Sequence, residues 1–131
     1  MTDLPARLAR AGARAELVGP GGVERVGAVC DLVLVDAPCS GSGSWRRDPA
    51  GKWRLDPARL QELIALQRDV IARARRFLRP GGRLVYSTCS ILSVENEGQA
   101  ASAPGLRAMA TLSLAPADGC DGFFAAMLTS A

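Results

Sequence analysis

The sequence predicts an α/β fold, and three observations carry that reading. "DLVLVD" at residues 31–36 is a near-continuous apolar run bounded by acids, the pattern of a strand buried on both faces of a parallel sheet. From Asp56 onward, Leu60, Leu63, Ile64, Val70, Ile71, Ala74, Phe77 and Leu78 recur at the 3.6-residue period of a helix with one buried face. "RPGG" at 79–82 then breaks the helix, and "RLVYS" at 83–87 opens a second strand. Such a strand–loop–helix–strand unit favours a parallel pair joined by a right-handed crossover.

The remaining elements follow in chain order. Leu4, Leu8 and Ala11 give a short helix within 3–12; "AELVG" at 15–19 reads as a short strand, and "GPGG" at 19–22 as the turn that ends it. Residues 41–55 are small, polar and basic, and read as a loop. Asp56 suits a helix N-cap and Pro57 the first helical position. Ser93 is expected to cap a second short helix, with Glu95 and Glu97 in its first turn, where acids gain a few tenths of a kcal/mol each. "APGLRA" is a turn, "ATLSL" and "GFFAAML" are strands, and the last is expected to close an antiparallel edge. The 131 residues, 48% of them hydrophobic, suffice for one domain spanning 1–131.

Composition removes several function classes. There is no histidine and no C-x-x-C, so Ser-His-Asp chemistry is excluded and no metal site is expected. No apolar run approaches the roughly 20 residues of a membrane span, and the N-terminus lacks the apolar centre of an export signal. A cytoplasmic protein with free thiols at Cys30, Cys39, Cys89 and Cys120 is the expectation. The net charge of +3 does not demand nucleic acid, but its placement is uneven: Arg46, Arg47, Lys52 and Arg54 crowd the loop after Cys39. In "SWRRDPAGKW", Arg46, Arg47 and Lys52 can contact phosphates while Trp45 or Trp53 stacks on a base; equally, the segment can be a solvated loop whose tryptophans pack on the domain.

Two cysteines stand at matching positions. If 31–36 and 83–87 are neighbouring parallel strands, about 4.8 Å apart, both leave the sheet at the same edge. Asp36-Ala37-Pro38-Cys39 and Ser87-Thr88-Cys89 then open into one cleft, with the thiols one or two strand spacings apart. A reactive thiolate needs its pKa lowered by positive charge or a helix N-terminus, and Glu95 and Glu97 oppose that.

"DLVLVDAPCSGSGSWRRDPAGKW", "LRPGGRLVYSTCSILSVENE" and "GCDGFF" together resemble the RsmB/NOP/Sun family of S-adenosylmethionine-dependent RNA cytosine-5 methyltransferases, over about residues 31–99 and again at 119–128. The resemblance implies a Rossmann-like class I methyltransferase sheet and methylation of cytosine, expected in ribosomal RNA. It further implies that Cys89 of "TC" attacks carbon 6 of the base, a covalent catalysis that activates carbon 5 toward a methyl donor. Cys39 of "PC" would then assist release of the methylated base. Asp36 would lie between cofactor and base, with Pro38 beside it on the cofactor side, and Arg46, Arg47, Lys52 and Trp53 would bind RNA.

The chain also departs from that family. Members carry an "APGGKT"-like cofactor turn after a first strand and an acid at the end of a second; nothing similar precedes residue 31, "GPGG" matches in composition only, and Val18 and Gly19 stand where the acid belongs. The expectation is the C-terminal part of a methyltransferase domain, with the first two strands missing, an incomplete S-adenosylmethionine pocket and a sheet edge left exposed beside "AELVG". The missing N-terminal part of the same enzyme is then an expected partner, and the isolated chain should bind the cofactor weakly or not at all. Two alternatives stay open. One is an inactive or split remnant that only binds RNA or a partner. The other is a DNA cytosine-5 methyltransferase, in which Cys39 is the nucleophile.

Overall fold

Four strands, among the residues that the computed structural model describes (3–23 and 25–130), make one mixed sheet in the order β1-β2-β4-β3. β1 (Cys30–Asp36) and β2 (Leu78–Thr88) run parallel, in register from Leu32↔Arg83 to Asp36↔Ser87. The helix α4 (Pro57–Arg75) is the crossover between them, so both strands deliver their carboxyl ends to one edge. β4 (Phe123–Ser130) lies antiparallel to β2, and β3 (Leu106–Leu114) pairs antiparallel to β4 on its outer side.

Period-2 alternation sorts the strand residues onto two faces. Val35, Leu84, Tyr86, Phe124, Ala126 and Leu128 point to one face and are buried against Ile71 and Ala74 of α4 and Ala100 of α5 (Glu97–Ala101). Asp56 starts α4 as an N-cap, its Oδ1 accepting the Arg59 N–H at 2.7 Å, and Pro57 fills the position whose N–H has no helical partner. The other face of the sheet is open: Leu32, Leu34 and Leu112 are 57%, 67% and 52% exposed.

Several expectations are corrected. "AELVG" is not a strand; residues 13–19 are exposed irregular chain that does not pair with the free edge of β1, the end strand of the sheet. "GPGG" is not a plain turn, since Pro20–Val23 forms a one-turn helix, α2, separate from α1 (Leu4–Arg10). The 41–55 segment is more ordered than a loop: a 3₁₀ turn at Ser42–Ser44 is followed by α3 (Pro49–Arg54). Helix α4 stops at Arg75, and Leu78, read as the end of its apolar face, instead begins β2, where it pairs with Cys30. Asn96, not Ser93, precedes α5, and the "GFFAAML" strand lies inside the sheet while β3 takes the edge.

Candidate active site

The carboxyl ends of β1 and β2 bring the two thiols together. Cys39 Sγ lies 3.4 Å from Cys89 Sγ, fifty residues away in the chain, with Cys89 exposed and Cys39 half-buried. Burial is the main reason that the Cys39 thiol is pushed up from an ordinary 9.0 to about 12. The backbone N–H of Gly41 pulls the other way, and the neighbouring Cys89, as hydrogen-bond partner and as charge, pushes up again. Cys39 therefore holds its proton at neutral pH, and Cys89 is the member open to solvent.

A third motif completes the floor. The Gly43 N–H donates to the Cys89 carbonyl at 3.0 Å, and the Gly122 N–H donates to the Gly43 carbonyl at 2.9 Å. The backbones touch here: a Cβ on Gly43 would fall 2.6 Å from the Gly122 carbonyl carbon and 2.7 Å from its Cα. Only glycine lets "GSG", "TCS" and "CDGFF" meet at this distance.

Glu95 is what the sequence reading missed. Placed by that reading at a solvated helix N-terminus, it is fully buried and accepts four hydrogen bonds. Oε1 accepts from the Ser40 N–H (2.9 Å) and Gln67 Nε2 (3.0 Å); Oε2 accepts from the hydroxyls of Ser40 and Ser90 (both 2.6 Å). Its backbone carbonyl takes the Tyr86 hydroxyl at 2.6 Å. Burial, followed by the Glu95 and Cys39 charges, raises the Tyr86 pKa above its ordinary range. Gln67 also donates to the Pro38 carbonyl at 3.0 Å, tying α4 to the Cys39 loop. Asn96 accepts the Thr88 hydroxyl (2.6 Å) and donates to the Ser90 carbonyl (2.9 Å). A signal for Gln67 was present in the sequence: it falls four residues after Leu63 and four before Ile71, inside the apolar stripe, where a polar side chain must find partners. Glu95 had no such signal, because its burial comes from loops far apart in the chain.

The other sequence-predicted residues divide. Asp36 and Pro38 are exposed at the end of β1, and Asp36 lines a cavity of about 690 Å³ with Val33, Val35, Val70, Arg73 and Phe77. Arg47 and, at 3.9 Å, Arg46 pair with Asp121, so these two cations brace the "CDGFF" loop while their side chains stay about 70% exposed. Lys52 and Trp53 are exposed on α3, with the ammonium 5.8 Å from the ring centre and Trp53 84% exposed. Trp45 packs half-buried beside Gly51 instead. Glu97 is exposed and takes no part in the network.

Comparison with known proteins gives consistent matches. Residues 21–123 match the family model described as 16S rRNA methyltransferase RsmB/F. The ribosomal RNA small subunit methyltransferase B of Sodalis glossinidius (strain morsitans) is 39% identical over 142 aligned positions, covering 92% of this chain and 32% of that protein. The ribosomal RNA small subunit methyltransferase F of Escherichia coli O139:H28 is 51% identical over 67 residues, 51% of this chain and 14% of that one. The chain thus spans about a third of the length of the first relative and less of the second. Among solved structures, a methyltransferase homolog protein from Pyrococcus horikoshii superposes with a TM-score of 0.80 at 22% identity, over 99% of this chain and 50% of that one. NSun6 from the same organism, solved with SFG, gives 0.78 at 24% identity, over 98% and 38%. These two likenesses concern the fold, which is Rossmann-like.

Proposed function

Since this chain belongs to the RsmB/F family of 16S rRNA methyltransferases, we propose that it carries the two-thiol part of a site that methylates carbon 5 of a cytosine in ribosomal RNA, in the cytoplasm. The observation that carries the reading is the 3.4 Å approach of Cys39 and Cys89 at the carboxyl edge of a parallel strand pair. In this reading Cys89 sulfur adds as thiolate to carbon 6, and the ring's electron density shifts to carbon 5. S-adenosylmethionine supplies the methyl group when bound. Release then requires loss of the carbon 5 proton, re-formation of the 5,6 double bond and expulsion of the Cys89 thiolate. In this reading Cys39, having first lost its own proton to solvent, takes that proton. Once Cys89 is tied up in a thioether, its hydrogen bond and charge no longer add to the rise that burial gives the Cys39 thiol.

On the cofactor side this chain offers Asp36, which lines the cavity beside β1, and the exposed Pro38 two residues further on. They fit as one wall of a pocket. Residues 13–19 are irregular and add no strand-end acid or glycine-rich turn, so the remaining wall belongs to a complementary segment of such an enzyme, the partner we infer for the free edge of β1. Arg46, Arg47, Lys52 and Trp53 are all exposed and would meet the RNA backbone and an unstacked base. The DNA-type alternative, with Cys39 as nucleophile, is disfavoured by its partial burial and retained proton.

The test supplies the complementary segment and S-adenosylmethionine, and uses RNA carrying 5-fluorocytosine, whose carbon 5 has no proton to lose, so the adduct stalls. Cys89→Ser should abolish the protein–RNA adduct and Cys39→Ser should retain it. With ordinary cytosine, Cys39→Ser should accumulate an adduct that the unsubstituted protein releases. An adduct that persists in Cys89→Ser and disappears in Cys39→Ser would reverse the assignment.

A further inference from the structure

We propose that Glu95 is the positioning residue of the thiol pair: its buried carboxylate fastens the Cys39 loop to the Cys89 loop and so sets the distance between the two sulfurs. The inference takes the two-thiol reading above as its premise.

The cysteines themselves have little to hold them. Cys89 is exposed, and each thiol sits at the tip of a loop just beyond a strand end. Besides the Gly43 N–H bonded to the Cys89 carbonyl, what crosses between the loops next to the sulfurs is Glu95. On one side it takes both the N–H and the hydroxyl of Ser40, the residue after Cys39; on the other it takes the hydroxyl of Ser90, the residue after Cys89. The two serine hydroxyls also approach each other at 3.4 Å, and Ser42 Oγ lies 3.0 Å from Ser90 Oγ. Gln67 on α4 is the external strut, donating to Glu95 Oε1 and to the carbonyl of Pro38, which precedes Cys39.

The donors number four and the acceptor sites of a carboxylate are about four, so the group is fully used. Both serine hydroxyls lie 2.6 Å from Oε2, at the short end of the range for an O–H donor. Glu95 touches neither sulfur in this arrangement. Its effect on the reaction runs through Ser40 and Ser90, by placement.

Placement predicts a particular ranking of variants. Glu95→Gln keeps the side-chain shape. Its carbonyl can accept from the Ser40 N–H and Gln67, and its amide can donate to serine hydroxyls that rotate to accept. Glu95→Ala removes all four hydrogen bonds to the carboxylate and leaves between the loops the Gly43 N–H to the Cys89 carbonyl and the Ser42–Ser90 hydroxyl contact. Ser40→Ala removes one 2.6 Å tie from a half-exposed loop and leaves the rest.

The readout is the effective molarity of the thiol pair, measured on the full 131-residue chain carrying Cys30→Ser and Cys120→Ser. The protein is equilibrated with reduced and oxidised glutathione, quenched by alkylation and weighed by mass spectrometry. Each dithiol that reacts with one glutathione disulfide yields one Cys39–Cys89 disulfide and two reduced glutathiones, with the loss of two hydrogens. At a temperature well below melting this equilibrium reports thiol separation, which a role in global stability alone would leave unchanged. Glu95→Ala should lower the effective molarity at least ten-fold and Glu95→Gln should stay within three-fold of the parent. If Glu95→Ala does not fold, Ser40→Ala decides, with a fall of three-fold or more expected. A value within two-fold of the parent for Glu95→Ala, or for Ser40→Ala where Glu95→Ala does not fold, would overturn the proposal. Glutathione exchange needs no RNA or methyl donor, so an adduct surviving Cys89→Ser would unseat the functional reading while leaving this result standing.

Discussion

Cys39 joins site and stability in one side chain. Burial keeps its thiol protonated up to about pH 12, whereas an unfolded chain releases that proton near 9.0. A group raised in this way contributes stability that is intact below about pH 9 and is lost as pH climbs through the folded value. Tyr86, raised above its ordinary 10.0 by burial and by Glu95, acts in the same direction at higher pH. The melting temperature should therefore fall as pH rises from about 8.5 to about 10.5, and Cys39→Ser should flatten that fall. Scanning calorimetry across the interval checks it; equal slopes for the two proteins would show that Cys39 ionises alike in both states.

The elements that matter most here are the three loops that glycine backbones stitch together. Gly43→Ala places a methyl group against the Gly122 peptide, where no flexible side chain can give way. The expected loss is about 2–3 kcal/mol of unfolding free energy in urea, the range of an overpacked site. Gly27→Ala is the control: a Cβ there meets nothing closer than 3.9 Å and should change stability by less than about 0.5 kcal/mol. The same scale shows what sequence reasoning can reach. β1 was legible from its apolar run, β2 from the break that precedes "RLVYS", and α4 from its 3.6-residue period and from Asp56 and Pro57, which mark its start. The meeting of the two cysteine loops followed from topology alone. "AELVG" has strand composition yet stays irregular and unpaired, and α3 forms in a segment whose polarity hides it. Glu95 escaped for a related reason. A hydrogen-bond network among residues 38, 40, 67, 90 and 95 leaves no period in the sequence, so only the assembled loops reveal it.

At the scale of the whole molecule the sheet is half-dressed. Parallel sheets in α/β proteins bury both faces, yet among the described residues α4 and α5 pack on one face only. Leu32 and Leu34 on β1 and Leu112 on β3 lie on the other face, more than half exposed, with partly buried Val85 and Met127 between them. β1 is also an end strand whose outer backbone groups have no ladder partner, and its only acids are Asp31 and Asp36, near its two ends. Covering each leucine is worth roughly 1 kcal/mol, since full burial of such a side chain gives about 1.5–3. Several such groups on one contiguous face, beside an open edge, favour a second copy or a complementary segment over water. The isolated chain should therefore sediment as species heavier than 13.7 kDa, increasingly so with concentration. Leu34→Glu with Leu112→Glu should shift it toward the monomer at little cost to its fold, because both positions already face solvent. A parent chain that stays monomeric at every concentration in analytical ultracentrifugation would mean that this face needs no cover. The free edge of β1 would then have to be satisfied by water alone.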